Sequence, residues 1–206
     1  MSNGNNRIVV CGQQTVGKTT LCKVLSGEKL PKGLELPTYQ TTIGVDAFTV
    51  KLKPNEIENG ENIKLLLWEF GGNKTFEQIQ SQYVKDVDTF IFIYDINELS
   101  TVERILELYE KYSWAIKHCV VVGNKIDKTT PQVRWGTISP ASVIGLAQKF
   151  AIEHGFIHIL TSILYDIGIS ELCLCLRNIS KIKSNKSNKI TYPENNRICI
   201  KPCSLL

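Results

Sequence analysis

The sequence predicts an open α/β sheet of alternating strands and helices. Two observations carry this. Six short runs rich in β-branched and aromatic residues recur along the chain, several of them apolar almost throughout. Strands buried on both faces of a parallel sheet have that character. Amphipathic segments with recognisable start and stop signals fill most of the gaps, and such alternation builds an α/β sheet.

Ile8–Cys11 is the first strand, and Thr19–Ser26 after it reads as a helix stopped by Gly27. Val45–Leu52 and Ile63–Phe70 read as strands separated by Lys53–Asn62, which holds Pro54 and Asn59-Gly60. They are expected to form an antiparallel hairpin at one edge. Thr89–Asp95 is the next strand. Ser100-Thr101-Val102-Glu103 reads as a capping box that starts a helix, the serine and glutamate satisfying each other's amides. Cys119–Asn124 is a strand, and Ser139-Pro140 places a cap before a proline at the first position of the following helix. Gly155 ends that helix, Phe156–Leu160 is the last strand, and Glu171–Lys181 is the last helix.

Beyond residue 181 the character changes to a basic, polar, low-complexity stretch. Such a stretch buries too little apolar surface to offset its ordering entropy. Residues 1–181 are therefore expected to form one domain and residues 182–206 a flexible tail. The charge follows this division. The 206 residues carry a net +4. Residues 1–176 hold 17 Lys/Arg and 19 Asp/Glu, a net of −2, whereas residues 177–206 hold seven Lys/Arg and one acid, Glu194. A body this close to neutral argues against nucleic acid as a partner.

The seven cysteines are odd in number and none stands in C-x-x-C spacing, so neither a disulfide framework nor a zinc site is indicated. His118, His154 and His158 are expected to be unconnected surface and core residues. No secretory signal, N-myristoylation site or apolar run of membrane-spanning length is visible. These features suggest a reducing cytosolic setting.

The first strand runs into Gly12-Gln13-Gln14-Thr15-Val16-Gly17-Lys18-Thr19, which fits G-x-x-x-x-G-K-[ST] between a strand and a helix. The glycines let backbone amides converge on phosphates, Lys18 can bridge the β- and γ-phosphates, and the Thr19 hydroxyl can ligate Mg²⁺. Asn124-Lys125-Ile126-Asp127 ends another strand. A carboxylate at Asp127 accepts two hydrogen bonds from the N1–H and N2 amine of guanine. Adenine lacks that donor pair and leaves the charge unpaired.

With both motifs present, residues 7–181 resemble a Ras-superfamily small GTPase. Thr41-Thr42-Ile43-Gly44-Val45-Asp46 is similar to the end of switch I in Rab proteins. Trp68-Glu69-Phe70-Gly71-Gly72 resembles the W-D-x-x-G element of switch II, and Tyr94-Asp95-Ile96 also has a Rab flavour. The resemblance implies a P-loop GTPase domain with a six-stranded, mostly parallel sheet and helices on both faces. It implies GTP and GDP as ligands with Mg²⁺ held by Thr19, Thr42 and Glu69. The nucleotide-binding set it implies is Gly12, Gln14, Thr15, Val16, Gly17, Lys18, Thr19, Thr20, Thr42 and Gly72 around the phosphates. Asn124, Lys125, Asp127, Ser162 and Ile163 frame the base. Lys18, Thr42 and Asn73 are the catalytic candidates.

Four positions depart from the family pattern. Glu69 stands in place of the usual Asp beside Mg²⁺, Asn73 in place of the Gln that orients the attacking water, Gln14 in place of a small P-loop residue, and Lys74 in place of a Glu. A displacement of about 1 Å costs roughly 10² in rate where catalysis is positioning. Slow intrinsic hydrolysis is therefore expected, with a non-hydrolysing nucleotide-binding adaptor as the alternative. A metabolic P-loop kinase is disfavoured by Asn124–Asp127. The third base-binding element is degenerate, Ser162-Ile163-Leu164 standing for S-A-K. The segment Thr129–Ser139 is longer than in minimal relatives and holds Arg134-Trp135, an aromatic that either packs on the domain or anchors a partner.

The chain ends in Cys203-Ser204-Leu205-Leu206, a C-a-a-X pattern whose leucine suggests geranylgeranylation of Cys203. One lipid chain anchors marginally, so Lys181, Lys183, Lys186 and Lys189 are expected to add attraction to anionic lipid; Cys199 is a possible second lipid site. The whole reads as a monomeric switch on the cytoplasmic face of a membrane. Its expected partners are an exchange factor, a GTPase-activating protein, switch-dependent effectors and a prenyl-binding chaperone.

Overall fold

A computed structural model describes residues 6–29, 40–54, 61–128 and 138–184. Cys199, Cys203, Arg134-Trp135, Lys186 and Lys189 lie outside the described residues.

Six strands form one sheet: β1 (Arg7–Cys11), β2 (Val45–Leu52), β3 (Ile63–Phe70), β4 (Thr89–Asp95), β5 (His118–Asn124) and β6 (Ile157–Leu160). The spatial order is β2-β3-β1-β4-β5-β6. Only the β2–β3 pair is antiparallel, with Val45 opposite Phe70 and Leu52 opposite Ile63. The helices are α1 (Lys18–Leu25), α2 (Glu77–Val84), α3 (Leu99–Tyr112), α4 (Pro140–Glu153) and α5 (Ile169–Ser184).

The apolar runs divide between the two faces by their period of two. Ile8, Val10, Ile91, Ile93, Val120 and Val122 face Leu21 of α1 and Leu172 and Leu176 of α5. Val9, Phe90, Phe92, Tyr94 and Val121 face Val102, Ile105 and Leu108 of α3 and Val143, Ala147 and Phe150 of α4. Every residue of β4 is buried, which is why that strand reads as an unbroken apolar run. Arg177 of α5 is buried and donates to the carbonyls of Leu52 and Glu61, pinning the β2–β3 edge of the sheet to α5.

The caps match expectation in part. The Ser139 hydroxyl accepts the amide of Ser142 at 3.2 Å with Pro140 opening α4, and Gly155 stops that helix at φ 68°. The capping box at Ser100–Glu103 does not form. Helix α3 begins two residues earlier than that box requires, with Glu98 as the N-cap and Leu99 as its first residue, so Ser100 already lies inside the first turn and donates to Glu98 Oε1 at 2.8 Å. The Thr101 hydroxyl bonds the carbonyls of Asp95 and Glu98 instead. Helix α2 carries no clear apolar period, because one of its two buried residues is Gln80, and the sequence does not announce it. Helix α5 runs through Ser184, so residues 182–184 belong to its last turn and not to a tail; Lys183 there pairs with Asp88.

Candidate functional site

The site lies at the C-terminal ends of β1, β3, β4 and β5, where open α/β sheets place their ligands. The loop from Gly12 to Gly17 turns sharply out of β1. Gly12, Thr15 and Gly17 have φ of 155°, 63° and 106°. A Cβ on Gly12 would stand 2.2 Å from the Ile93 carbonyl oxygen, and one on Gly17 2.6 Å from Asn124 Nδ2. Both glycines are therefore required by close approach as well as by backbone angle.

Asn124 ties three loops together. Its Nδ2 donates to the Val16 carbonyl at 2.9 Å, while its Oδ1 accepts from the Thr161 hydroxyl at 3.2 Å and the Ile163 amide at 3.3 Å. Buried Lys18 donates its ammonium to the Gln13 carbonyl at 2.6 Å. Burial lowers its pKa, against the attraction of Glu69. An anion placed in the loop restores what burial takes away. Thr20 follows on α1 and is half-buried.

Two hydroxyls converge on Glu69. Thr19 Oγ1 donates to Glu69 Oε1 at 2.5 Å and Thr42 Oγ1 to the same oxygen at 3.2 Å, with 3.4 Å between the two hydroxyls. The other carboxylate oxygen, Oε2, is buried without a hydrogen-bond partner. Burial raises the Glu69 pKa, opposed by the Thr19 hydroxyl and the Lys18 charge. Hard oxygen donors around a carboxylate with one buried, unpartnered oxygen suit a divalent cation such as Mg²⁺. The extra methylene of Glu69 still leaves its carboxylate beside Thr19 and Thr42, so these three residues fit the ion.

Gly71 lies against Thr42 and Gly44, and Gly72 against the phosphate loop. A Cβ on Gly71 would lie 2.4 Å from the Thr42 carbonyl oxygen, and one on Gly72 2.5 Å from the Gln14 amide nitrogen. Buried Gln80 of α2 donates to the carbonyl of Gly71 at 2.8 Å and of Gly44 at 3.4 Å. Gln14, Thr15, Gly72, Asn73, Lys74 and Glu98 line an open cleft of about 410 Å³ over the loop. The Asn73 side chain is already engaged: its Oδ1 accepts the Thr75 amide at 3.0 Å and caps the 3₁₀ turn Lys74–Phe76.

At the other end, Asp127 Oδ1 accepts the Ser162 hydroxyl at 2.5 Å, and Ile163 follows directly. Lys125 has a left-handed backbone, φ 69°, and its ammonium lies 2.7 Å from Asp95 Oδ2. Asn97 donates its backbone and side-chain N–H to Asp95 Oδ1, each at 3.0 Å. Burial pushes the Asp95 carboxyl up, but Lys125 and Asn97 outweigh it and hold the pKa below the usual range.

Apart from Cys203, which is not described, the expected site residues lie on loops and element ends at one edge of the sheet, one group around Lys18 and Glu69 and a second around Asn124 and Asp127. Asp95, Gln80 and Thr161 join the site without having been expected. Only Asp95 had a signal, as a carboxylate closing an apolar strand. Among the described residues no cluster of three or more His, Cys, Asp and Glu is placed to hold a metal. His158 instead bonds Tyr94, and His154 bonds the Phe150 carbonyl.

Residues 7–127 match the family described as Roc, Ras of Complex, Roc, domain of DAPkinase. The chain is 35% identical to the human Ras-related protein Rab-30 over 124 residues, 59% of this chain and 57% of that protein. It is 31% identical to human Ras-related protein Rab-39A over 125 residues, 59% of this chain and 56% of that protein. Identity to mouse Ras-related protein Rab-12 is 28% over 127 residues, 60% of this chain and 49% of that protein. The chain spans about half the length of the curated relatives it matches.

Proposed function

The chain belongs to the Ras superfamily of small GTPases and is Rab-like, and from that premise we propose that it is a GTP/GDP molecular switch acting in vesicle trafficking. The observation that carries the reading is the meeting of Thr19, Thr42 and Glu69 beside the phosphate loop. One residue each from the loop, switch I and switch II shares a single carboxylate oxygen. An ion or phosphate placed there is felt by both switch segments at once.

In this reading the amides of the Gly12–Thr19 loop and Lys18 hold the β- and γ-phosphates. Thr19, Thr42 and Glu69 hold Mg²⁺, which when bound neutralises charge developing between those phosphates. Gly72 meets the γ-phosphate through its amide. Asn124, Lys125, Asp127, Ser162 and Ile163 select guanine. Water attacks the γ-phosphorus, the bond to the bridging oxygen breaks, and GDP and phosphate leave. Asn73 stands where the water would be oriented, and its Oδ1 is turned to the Thr75 amide, which it accepts. That capping bond supports slow intrinsic hydrolysis and keeps a non-hydrolysing adaptor as the second reading.

Cys203 with the basic residues before it is the proposed membrane tether, on the cytoplasmic face. No helix among the described residues is long and apolar enough to cross a membrane. An exchange factor, an activating protein, effectors and a prenyl-binding chaperone are the proposed partners. The test is to identify the nucleotide that purifies with the full chain and to follow its conversion by chromatography. Guanine nucleotide turning from GTP to GDP supports the switch. Bound GTP that never converts supports the adaptor, and preference for ATP overturns both.

A further inference from the structure

A run of five side chains of alternating charge fastens switch II to α3: Lys74, Glu107, Arg104, Glu77 and Lys111. Lys74 Nζ lies 2.8 Å from Glu107 Oε2, and the same oxygen takes Arg104 Nη1 at 2.8 Å. Arg104 Nη2 pairs with Glu77 Oε1, and Lys111 pairs with Glu77 Oε2. Residues 104, 107 and 111 share one face of α3 by helical spacing. Lys74 and Glu77 bracket the 3₁₀ turn Lys74–Phe76.

The pairs are unequal. Lys74 and Glu107 are 65% and 51% exposed, a setting in which ion pairs hold little. The Arg104 and Glu77 side chains are only 11% and 20% exposed. With its two terminal nitrogens Arg104 reaches Glu77 directly and Lys74 through Glu107, so it grips both ends of the turn. Inside that turn the Asn73 carboxamide caps the Thr75 amide. The far side of α2 is anchored independently, because buried Gln80 holds the Gly71 and Gly44 carbonyls. Releasing Arg104 therefore cuts the link between Glu107 and Glu77 and loosens the turn, which keeps the separate Lys74–Glu107 and Lys111–Glu77 pairs, while Gln80 holds α2 in place.

Resting on the reading of the chain as a GTPase, we propose that Arg104 is a positioning residue that latches switch II in a hydrolysis-poor form, by holding the turn in which Asn73 is kept from the attacking water. The latch is ionic and its main pair is shielded, so salt chiefly weakens the exposed Lys74–Glu107 pair, whereas replacing the Arg104 charge opens the latch. A partner bearing a carboxylate that competes for Arg104 opens it in the same way.

The experiment is single-turnover hydrolysis by the full-length protein carrying GTP and Mg²⁺, alongside fluorescent GTP-analogue affinity and thermal melting. Arg104→Met keeps the aliphatic stem and removes the charge. It is expected to hydrolyse about fivefold faster with GTP affinity unchanged. Glu77→Gln, which decides the matter if Arg104→Met melts early, is expected to do the same. The two together are expected to add little, as coupled residues do. The acceleration should vanish when Asn73→Ala is added, which a merely structural role for Arg104 does not predict. Normal GTP affinity with an unchanged or slower rate in both variants overturns the latch and leaves the GTPase reading standing. Acceleration that survives Asn73→Ala also overturns it. A wild type that binds no GTP overturns the nucleotide reading, and the latch falls with it.

Discussion

The Thr19 hydroxyl donates to Glu69 Oε1 at 2.5 Å and so joins the start of α1 to the end of β3. Removing the Glu69 charge should separate two effects. Glu69→Gln is expected to weaken Mg²⁺ binding in the nucleotide complex by about 10–100-fold, the range seen when groups around a bound metal are removed. In the absence of nucleotide and metal it should not lower the melting temperature. It removes a carboxylate whose Oε2 is buried without a partner, and burial is what raises that pKa. A Mg²⁺ titration of nucleotide release, paired with apo melting curves, checks both halves.

Guanine selection should rest on Asp127, held by the Ser162 hydroxyl at Oδ1. Asp127→Ala is expected to cost about 10–100-fold in GDP affinity, the worth of hydrogen bonds to a charged group. ATP affinity should not rise in exchange, since removing the carboxylate supplies no contact to adenine. Ser162→Ala, which removes only the hydroxyl that orients the carboxylate, should cost a few-fold. Competition of GDP and ATP for a fluorescent guanine nucleotide gives both numbers.

The phosphate loop has no room at Gly17. With φ 106° and Asn124 Nδ2 only 2.6 Å from a would-be Cβ, Gly17→Ala forces the amide of Asn124 away from the Val16 carbonyl. Strain and lost hydrogen bonds together should cost about 3 kcal/mol. Gly145→Ala is the contrasting case. That glycine is exposed inside α4 with nothing within 4 Å of the added carbon. Alanine there should stabilise by about 0.5–1 kcal/mol through helix propensity and the unfolded chain. Urea denaturation of the two variants beside the wild type measures the contrast.

Most of the sheet is legible in the sequence, and the reason is local. Val45–Leu52, Ile63–Phe70 and Thr89–Asp95 are strands at their expected bounds because apolar β-branched runs end where turn residues begin. The phosphate loop and Asn124–Asp127 are legible because their geometry needs particular residues at fixed spacing. What escapes the sequence depends on distant partners. Gln80 is polar, yet buried, because the carbonyls of Gly71 and Gly44 happen to face it. Arg104 meets Glu77 across 27 residues, and no spacing rule joins them. The place of Asn73 directly after Gly72 is plain in the sequence, but its engagement by Thr75 depends on how the turn folds. Ser100–Glu103 matches a capping pattern, and a shift of two residues in the helix start is enough to undo it.

Acid should destabilise the domain through His158. Tyr94 lies opposite Gly123 in the sheet register, and a Cβ there would stand 2.6 Å from the Tyr94 hydroxyl. The missing side chain lets the Tyr94 hydroxyl pass β5 and meet His158 Nε2 on β6 at 2.9 Å. Burial lowers the His158 pKa from 6.5 to about 4. A histidine whose folded pKa lies below its unfolded value favours folding as the neutral form. As pH falls through 6.5 the unfolded chain takes up the proton first, so stability declines until the folded pKa near 4 is reached. The loss from this residue is at most about 3 kcal/mol and is complete near pH 4. His118 titrates low as well, through burial against the opposing charge of Asp88, and adds a slope of the same sign. The carboxylates of Asp95 and Glu77, whose pKa values are lowered, lose their contribution at still lower pH. His158→Gln should therefore flatten part of the decline between pH 6.5 and 4 without abolishing it. Urea midpoints at pH 7.5, 6.0 and 5.0 measure this, and equal slopes in wild type and variant would remove His158 from the account.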